Sequence, residues 1–358
     1  MRVTANGWDS AGFRDRVQGA LDAFIDQQAV LLEPLGSDAA RLVAEARTSV
    51  LGGKRFRASF CYWGHRAVAP TSADEDALVR ACASLELLHA SALVHDDLMD
   101  ASDTRRGRPA THRAFEAEHR AAGWRGDQEQ YGAAAAILLG DLLLSWADEL
   151  LRRCGLPITQ VAPALEIFDR CRSEVIAGQF LDVSVQARGS ADVDAAMTVL
   201  RYKSAKYSIE RPLHIGAALA GASPSTMQAL TDYGLPLGEA FQLRDDLLGV
   251  FGDPATTGKP AGDDLIEGKR TVLVALALDG ASAADAALLD RSLGTDLSPD
   301  DVAGLRRIID SSGAAAQVEA VIDELATHAV RSLDRAGLDE HATEVLRGLA
   351  SSVTRRTV

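Results

Sequence analysis

Asp96, Asp97 and Asp100 form the strongest chemical pattern in the sequence. They follow a long apolar run, residues 81–95, that has helical periodicity and no helix breaker. On a helix the positions i, i+1 and i+4 share one face, so the three carboxylates gather at the C-terminal end of an apolar helix. Mutual repulsion and the helix dipole disfavour negative charge there, and a bound cation would offset that cost. Because carboxylate oxygens favour Mg²⁺ or Ca²⁺, we predict a divalent-cation site.

A second acidic pair, Asp245 and Asp246, repeats the pattern about 150 residues further along the chain. It also ends an apolar helical run, which includes Gln242, and a loop rich in Gly, Pro and Thr follows it. If the two helices face each other across a bundle, their carboxylates converge on the mouth of one cavity. Several divalent ions held there would bind a diphosphate.

Basic residues accompany both acidic clusters. Arg105 and Arg106 directly follow the first cluster, and guanidinium groups match the geometry of phosphate oxygens. Lys203 and the loop residues Lys259 and Lys269 supply further positive charge. Together with the carboxylates, these residues predict a metal–polyphosphate site.

The sequence also predicts a second anion pocket, which needs no metal. Lys54 and Arg57 lie in a glycine-containing turn, GGKRFR, just before an apolar helix. His89 lies about two helical turns before Asp96 and shares its face. A solvated basic turn and a histidine satisfied within the core are the alternative interpretations. With Arg106 these residues could bind a second anion, and an Ala- and Leu-lined tube below both sites would suit a hydrocarbon tail.

The elements that must position these residues are helices. Hydrophobic residues make up 47% of the 358 residues and aromatic residues only 5%, while Ala and Leu are abundant, which favours helices over sheets. Residues 73–100 form the predicted central helix. The chain contains about a dozen helical segments, no convincing strand and no βαβ alternation. We therefore expect one all-α domain spanning residues 1–358, with disorder confined to about residues 1–10 and 353–358.

Charge and cysteine content exclude several classes of protein. The net charge of −14 argues against general binding to nucleic acid or anionic membranes. Cys61, Cys82, Cys154 and Cys171 are scattered without a CxxC pair, so we expect buried free thiols in a reducing compartment. No signal peptide and no uninterrupted apolar span long enough to cross a membrane are visible, so we expect a cytoplasmic protein.

Six segments, taken in order, resemble the trans-isoprenyl diphosphate synthases. The segments are GGKRFR (52–57), ELLHASALVHDDLMDASDTRRG (86–107), GQFLD (178–182), KSAKY (203–207), FQLRDDLLG (241–249) and GKPAGDDL (258–265). The likeness extends over about residues 45–300. One DDxxD motif alone would be weak, because terpene cyclases contain it too, but the ordered set is highly specific. The resemblance implies an isoprenoid-synthase bundle of helices around a deep apolar cavity.

The resemblance also implies a role for each candidate residue. Mg²⁺, with three ions per site and Mn²⁺ as a substitute, would be bound by Asp96, Asp97, Asp100, Asp245 and Asp246. The allylic diphosphate would be bound by Arg105, Lys203, Ser204, Tyr207, Gln242, Lys259 and Lys269. Isopentenyl diphosphate would be bound by Lys54, Arg57, His89 and Arg106. Of these groups, Asp96, Asp97, Asp100, Arg105, Lys203, Asp245 and Lys259 would act directly in the ionisation step.

Two positions depart from the family pattern. Ser204 stands where the family usually has Thr, and it keeps the hydroxyl group. Gly249 stands where the second motif commonly has a third Asp, so one metal ion would be held more loosely. We expect activity to survive both changes.

Product length depends on the residues just below the first motif. In the family, an aromatic residue four or five positions before the first Asp stops growth near C15, and here Ala92 and Ser91 are both small. Leu88 lies one turn deeper. We therefore expect geranylgeranyl diphosphate, C20, as the main product, with a C25–C50 polyprenyl product as the alternative.

Two rival classes remain open at this stage. A terpene cyclase would use the same metal motifs, but such enzymes lack the GGKR turn. A catalytically silent partner subunit would usually have lost Asp or Lys residues that this chain retains. By resemblance we also expect a homodimer.

Overall fold

The computed structural model describes residues 8–189, 192–252 and 262–354. Lys259 lies outside these ranges, as do residues 1–7 and 355–358 at the two chain ends. The prediction of all-α architecture is confirmed, because nearly every described element is a helix.

The first half of the chain forms seven α-helices and one short hairpin. A 3₁₀ turn, Glu33–Leu35, joins the first two helices. The elements are α1 (Ser10–Leu32), α2 (Ser37–Ser49), α3 (Phe56–Arg66), α4 (Glu75–Met99), β1 (Thr104–Arg105), β2 (Arg108–Pro109), α5 (Thr111–Ala122), α6 (Gln128–Arg152) and α7 (Ile158–Arg188).

The second half begins with a helix that changes its winding. The α8 helix (Val193–Val199) continues as a π-helix (Leu200–Glu210) and then as α9 (Arg211–Leu219). The remaining helices are α10 (Pro224–Phe251), α11 (Asp263–Ile266), α12 (Val272–Gly280), α13 (Ala283–Ser292), α14 (Pro299–Ser311), α15 (Ala314–Leu333) and α16 (Glu340–Thr354).

The central helix α4 begins and ends close to the predicted limits. Its N-cap is Asp74, whose carboxylate accepts a hydrogen bond from the Ala77 amide at 2.8 Å. Glu75 and Asp76 place negative charge in the first turn, where it interacts favourably with the helix dipole. Asp100 is the C-cap residue, so the first acidic motif lies at the C-terminal end of the helix, as predicted.

Helix α4 is long and apolar enough to cross a membrane by length and composition alone. However, 78% of its most apolar window is buried inside the protein, as expected for the core helix of a globular fold. It contributes to a core cluster built from α1 to α4, α6, α7 and α9, which includes Leu21, Leu85, Leu143 and Phe168. Burial of this surface holds the acidic end of α4 in a fixed position.

Two further core clusters fix the second motif. One packs α10 against α12, α14 and α15 through residues such as Leu243, Leu273 and Ile309. The other joins α3, α9, α10 and α16, and includes Phe60 and Tyr233. Because α10 belongs to both clusters, its C-terminal end with Asp245 and Asp246 is anchored on two sides.

The only strands in the described ranges are two-residue strands of the hairpin that follows α4. Thr104 pairs with Pro109 and Arg105 with Arg108. Arg106 and Gly107, the turn residues, have φ angles of 53° and 73°. Positive φ at both central residues is the requirement of a type I′ turn, whose twist matches that of a two-stranded hairpin. The predicted exit from the helix at this point is thus a tight hairpin.

Candidate active site

Asp96 lies at the meeting point of α4, α7 and the π-helix. Its Oδ1 accepts hydrogen bonds from Gln179 Nε2 at 3.0 Å and from Lys203 Nζ at 3.1 Å. Burial by itself would raise the pKa of Asp96, but the positive charges of Lys203, Lys269 and Arg105 lower the pKa well below its usual value. Asp96 is therefore a carboxylate anion throughout the physiological range.

Lys203 bridges two carboxylates. Its ammonium group donates to Asp182 Oδ2 at 2.6 Å in addition to Asp96. Burial lowers the pKa of a lysine, yet these two negative charges raise the pKa of Lys203 above its ordinary value. A permanent positive charge thus lies beside the first motif.

Close packing of the π-helix on α7 makes this bridge possible. A Cβ atom at Gly178 would lie 2.4 Å from the Lys203 amide nitrogen, so only glycine permits the approach. Gln179 and Asp182 follow Gly178 on α7; Asp182 accepts the hydrogen bond from Lys203, and Gln179 donates to Asp96. The wider turns of π-helices are frequent at functional sites, and here they hold Lys203, Ser204 and Tyr207 along one cavity wall.

Asp97 turns away from Asp96 and pairs with the hairpin. Arg105 Nε donates to Asp97 Oδ1 at 2.8 Å, and a second guanidinium nitrogen contacts the same oxygen. Asp97 is only 3% exposed, and this paired carboxylate keeps the pKa of Arg105 above its usual value against the effect of burial.

Asp100 faces a third cation. Its Oδ2 is buried without a hydrogen-bond partner and lies 3.5 Å from Lys269 Nζ. Burial and the negative charge of Asp96 raise the pKa of Asp100 to about 6. Lys269 also lies 3.4 Å from Asp264 Oδ1 and contacts Glu267, and these charges raise the pKa of the lysine well above its ordinary value.

The second motif presents one exposed and one buried carboxylate. Asp245 is exposed, whereas Asp246 is 6% exposed and accepts a hydrogen bond from Gln242 Nε2 at 2.8 Å. Burial and the neighbouring Asp264 raise the pKa of Asp246 to about 8. A carboxyl group in this state needs a nearby cation to ionise fully at neutral pH.

One cavity of about 1190 Å³ connects the two motifs. The candidate residues that line it are Lys54, Arg57, Leu88, His89, Ser91, Ala92, Asp96, Arg105, Arg106, Lys203, Ser204, Tyr207, Gln242, Asp245, Asp246 and Lys269. Asp97 and Asp100 do not line it, because each is turned towards its own cation. Asp96, Asp245 and Asp246 thus meet at one cavity, as expected of the two acidic helices, whereas the expected convergence of Asp97 and Asp100 on it is not observed.

The basic turn and His89 lie together at one side of this cavity. Arg57 donates to Ser208 Oγ at 2.8 Å and stacks 4.2 Å from the centroid of the Tyr207 ring. His89 Nδ1 is hydrogen-bonded to the Tyr207 hydroxyl at 2.9 Å. Burial and the charges of several arginines, Arg57 foremost, lower the pKa of His89 well below its ordinary value. The excess positive charge here would favour an anion.

Arg106 reaches this region from the hairpin. Its guanidinium group donates to the Leu51 carbonyl oxygen at 2.7 Å. It also packs against Gly53, where a Cβ atom would lie 3.2 Å from it. Arg55, by contrast, is buried and donates to Glu86 at 3.1 Å and to Gln18 at 2.6 Å. Arg55 also donates to the Val50 carbonyl oxygen and so holds the backbone of the basic turn. Arg55 lines the cavity together with the exposed Lys54 and the half-buried Arg57.

Leu88, Ser91 and Ala92 line the cavity below the first motif, where α4 packs on α6. The Ser91 hydroxyl donates to the Gly140 carbonyl oxygen of α6 at 2.7 Å, so this side chain is held against the neighbouring helix. Leu144 of α6 and Val175 of α7 line the same cavity. The wall is apolar and has no aromatic side chain at positions 91 and 92.

The carboxylates fit divalent cations that arrive together with a phosphate ligand. Within the described part of the chain, no three His, Cys, Asp or Glu side chains form a ready cation cage. The orphaned Asp100 Oδ2 and the ammonium groups among the acidic residues nevertheless mark positions where positive charge is stabilised. Mg²⁺ suits such a site, since it commonly binds through one or two carboxylates plus substrate phosphates.

Four further residues contact the predicted site residues although the sequence analysis did not assign them to the site: Gln179, Asp182, Asp264 and Glu267. Gln179 and Asp182 lie within the GQFLD segment, and Asp264 lies within GKPAGDDL, so both segments pointed to the right places. Glu267 accepts a hydrogen bond from Ser102 at 2.7 Å and contacts Lys269, and no sequence pattern singled it out.

The fold is an all-α bundle, and residues of both acidic motifs line one cavity that also has an apolar wall. These features are typical of metal-dependent enzymes whose substrates have a diphosphate head and a hydrocarbon tail. Residues 40–309 match the family model for polyprenyl synthetases. The chain belongs to this family, that of the trans-prenyl diphosphate synthases, and is a prenyltransferase. The resemblance inferred from the motifs is therefore confirmed.

Relatives with known products span several chain lengths. A (2E,6E)-farnesyl diphosphate synthase of Mycobacterium tuberculosis is 33% identical over 294 residues, which are 81% of this chain and 77% of that protein. A geranylfarnesyl diphosphate synthase of Aeropyrum pernix is 32% identical over 309 residues, 85% of this chain and 91% of that protein.

A solved structure agrees over the whole fold. The geranylgeranyl pyrophosphate synthase of Corynebacterium glutamicum, crystallised with isoprenyl diphosphate and magnesium, superposes with a TM-score of 0.95 and 42% identity, covering 98% of this chain and 100% of that one. The family depends on Mg²⁺, and this relative was crystallised with that ion.

Proposed function

We propose that this protein condenses isopentenyl diphosphate with an allylic diphosphate, dimethylallyl, geranyl or farnesyl, in head-to-tail fashion. The observation that supports it most is the single cavity that combines two acidic motifs, a separate basic pocket and an apolar wall. Two anionic heads need two positively charged sites, and a growing hydrocarbon chain needs apolar space between helices.

The acidic side of the cavity would bind the allylic diphosphate. Asp96, Asp97, Asp100, Asp245 and Asp246 are proposed to hold three Mg²⁺ ions, or Mn²⁺ in their place. Arg105, Lys203, Ser204, Tyr207, Gln242, Lys259 and Lys269 are proposed to bind or position the same diphosphate. Lys203 and Lys269 pair with carboxylates of the first motif, and a diphosphate would offer these lysines alternative anionic partners.

The basic side would bind isopentenyl diphosphate. Lys54, Arg57, His89 and Arg106 are the proposed contacts. All four line the same cavity, and Arg57 and His89 both contact Tyr207. Arg57 donates to the Ser208 hydroxyl and Arg106 to the Leu51 carbonyl oxygen, and because both acceptors are neutral, an anion would be the better partner for each guanidinium group.

The reaction then follows from charge placement. Bound Mg²⁺ would neutralise charge on the leaving diphosphate and so assist its departure. Lys203 and Arg105 would stabilise the developing negative charge, because their positions are fixed before the reaction by Asp182 and Asp97. The double bond of isopentenyl diphosphate attacks the allylic cation at C1, forming the new carbon–carbon bond. A proton is then lost to the departing diphosphate, and the apolar wall excludes water from the cation.

We propose geranylgeranyl diphosphate, C20, as the main product. The small residues Ser91 and Ala92 leave space below the first motif, and Leu88 lies about one further turn down α4. A C25–C50 product remains the alternative, since relatives of similar identity include a geranylfarnesyl diphosphate synthase.

We propose a homodimer that works in the cytoplasm as a single-domain protein over residues 1–358. Apolar side chains on α6 and α7 are exposed, including Leu138 at 61%, Ile176 at 57% and Phe180 at 73%. Ile176 and Phe180 also line the edge of the main cavity, so a second copy packed on this face would close it. Phe180→Asp should then yield monomers in light scattering, whereas an unchanged mass would reject this interface.

The decisive experiment incubates the purified protein with Mg²⁺, isopentenyl diphosphate and each allylic diphosphate in turn, and measures products by mass spectrometry. Elongated diphosphates, with C20 the most abundant, are expected. A cyclic hydrocarbon without elongation would indicate a terpene cyclase, and no turnover with any primer would indicate a non-catalytic subunit. A main product of C25 or longer would overturn the chain-length proposal alone.

A further inference from the structure

Gly249 lacks the side chain that would complete the second acidic motif, and another carboxylate occupies the vacated volume. A Cβ atom built on Gly249 would lie 1.9 Å from Asp264 Oδ2 and 2.4 Å from Asp264 Cγ. These distances are far below van der Waals contact. The Asp264 carboxylate therefore lies where a side chain at position 249 would begin.

This placement restores a set of three carboxylates at the C-terminal end of α10. Asp245, Asp246 and Gly249 stand at positions i, i+1 and i+4 of this helix, and all three line the main cavity. Asp264 comes from α11 and covers the third of these positions. The Asp264 carboxylate thus adds a third carboxylate to Asp245 and Asp246, the two that α10 supplies.

The backbone of Asp264 is anchored rather than adaptable. The next residue, Leu265, is fully buried in the core beside Leu243 and Val302. The Asp264 carbonyl oxygen accepts a hydrogen bond from the Lys269 amide at 2.9 Å. Asp264 as a whole is 9% exposed, and it lines the main cavity. It therefore has the fixed geometry that a ligand position requires.

A second observation places a cation at this point. Lys269 Nζ lies 3.4 Å from Asp264 Oδ1 and 3.5 Å from Asp100 Oδ2, and the latter oxygen is buried without a hydrogen-bond partner. Asp264 and Asp100 thus face each other across one positive charge. Lys269 thus links Asp100 of the first motif to Asp264, which lies against Gly249 of the second.

We propose that Asp264 supplies the third carboxylate of the second metal-binding cluster, in place of a side chain at position 249. The ligand is a divalent cation bound as its diphosphate complex, so the inference rests on the proposed function. It also reverses the expectation that Gly249 leaves one metal ion loosely held.

The test measures Mn²⁺ affinity by electron paramagnetic resonance, in the presence of inorganic diphosphate, for the full-length protein. Asp264→Asn should weaken Mn²⁺ binding by about tenfold or more, because it removes a charged ligand without changing the side-chain volume. Gly249→Ala should also weaken it, because the new Cβ displaces the Asp264 carboxylate. In an Asp264→Ala background, Gly249→Ala should have little further effect, since its target is absent.

The control is Asp296→Asn, which makes the same change of net charge at an exposed residue that does not line the cavity. Its Mn²⁺ affinity should remain close to that of the unmodified protein. Equal weakening by Asp296→Asn, or unchanged affinity in Asp264→Asn, would overturn the inference. If the unmodified protein itself bound no Mn²⁺ with diphosphate, the proposed function would fail instead. Circular dichroism melting of each variant separates loss of a ligand from loss of the fold.

Discussion

Arg105 and Arg106 are adjacent in the sequence and both line the cavity, yet their guanidinium groups are held by different parts of the fold. Arg105 donates to Asp97 of α4 at 2.8 Å, whereas Arg106 donates to the Leu51 carbonyl oxygen before α3 at 2.7 Å. The β1–β2 hairpin separates them, because Arg105 is a strand residue and Arg106 a turn residue with positive φ.

This separation predicts different kinetic effects for the two arginines. Arg105→Gln should raise the KM for the allylic diphosphate, and Arg106→Gln should raise the KM for isopentenyl diphosphate. Each KM should rise about 10- to 100-fold, because the loss of one hydrogen bond to a charged group weakens binding by about that factor. Steady-state kinetics with each substrate varied in turn measures both values. The roles would be wrong if the two variants affected the same substrate.

Product length should respond to the side chain at position 92. Ala92 lines the cavity without a hydrogen bond to a neighbouring helix, so Ala92→Phe should block the tube and shorten the main product to C15. Leu88→Ala should lengthen it, because a deeper side chain is removed. Mass spectrometry of the products measures both changes, and an unchanged product in Ala92→Phe would show that this wall does not limit growth.

A substitution at Ser91 tests the same wall less specifically, because Ser91 also bonds to a neighbouring helix. Ser91→Phe should also shorten the product, but it removes the hydrogen bond to the Gly140 carbonyl oxygen and forces a ring against α6. Overpacking of this kind typically costs about 1–3 kcal/mol of stability. Thermal melting should therefore distinguish Ser91→Phe from Ala92→Phe, which we expect to melt at the higher temperature.

Metal and diphosphate should bind together rather than separately. Lys203 pairs with Asp96 and Lys269 with Asp100, so a metal ion alone must compete with these lysines for the carboxylates. Mg²⁺ alone should therefore raise the melting temperature only slightly, whereas Mg²⁺ with inorganic diphosphate should raise it clearly by mass action. Chelation should reverse the second shift. An equal shift with Mg²⁺ alone would show that the carboxylates form a complete site without phosphate.

A buried histidine should make the protein sensitive to acid. Burial lowers the pKa of His65 to about 4, and its Nδ1 has no hydrogen-bond partner. The unfolded chain, with a histidine pKa of about 6.5, binds more protons between these two values. Stability is therefore lost as the pH falls from about 6.5 to about 4, by on the order of 3 kcal/mol. Below that range the loss is complete.

The comparison with His65→Asn isolates this effect, because other titrating groups are common to both proteins. The stability advantage of the unmodified protein over the variant should shrink as the pH falls from 7 to 4. Denaturant unfolding at each pH measures the difference. A difference that does not change with pH would mean that His65 keeps an ordinary pKa in the folded protein.

The local sequence was sufficient to predict the all-α fold, the central helix and the family. Helical periodicity and the i, i+1, i+4 spacing are properties of short segments, so Asp96, Asp97 and Asp100 could be placed at the end of α4 without a structure. The ordered motifs then identified the family, which the match over residues 40–309 confirms.

Only the tertiary structure decided which charges meet. Asp182 reaches Lys203 because Gly178 lets the π-helix approach α7, and Asp264 covers Gly249 because a buried Leu265 anchors α11. Contacts of this kind join residues far apart in the chain and depend on how closely two backbones pack. The periodicity of one segment does not predict how closely that segment packs on another. The partners of the acidic motifs could therefore be identified only in the folded protein.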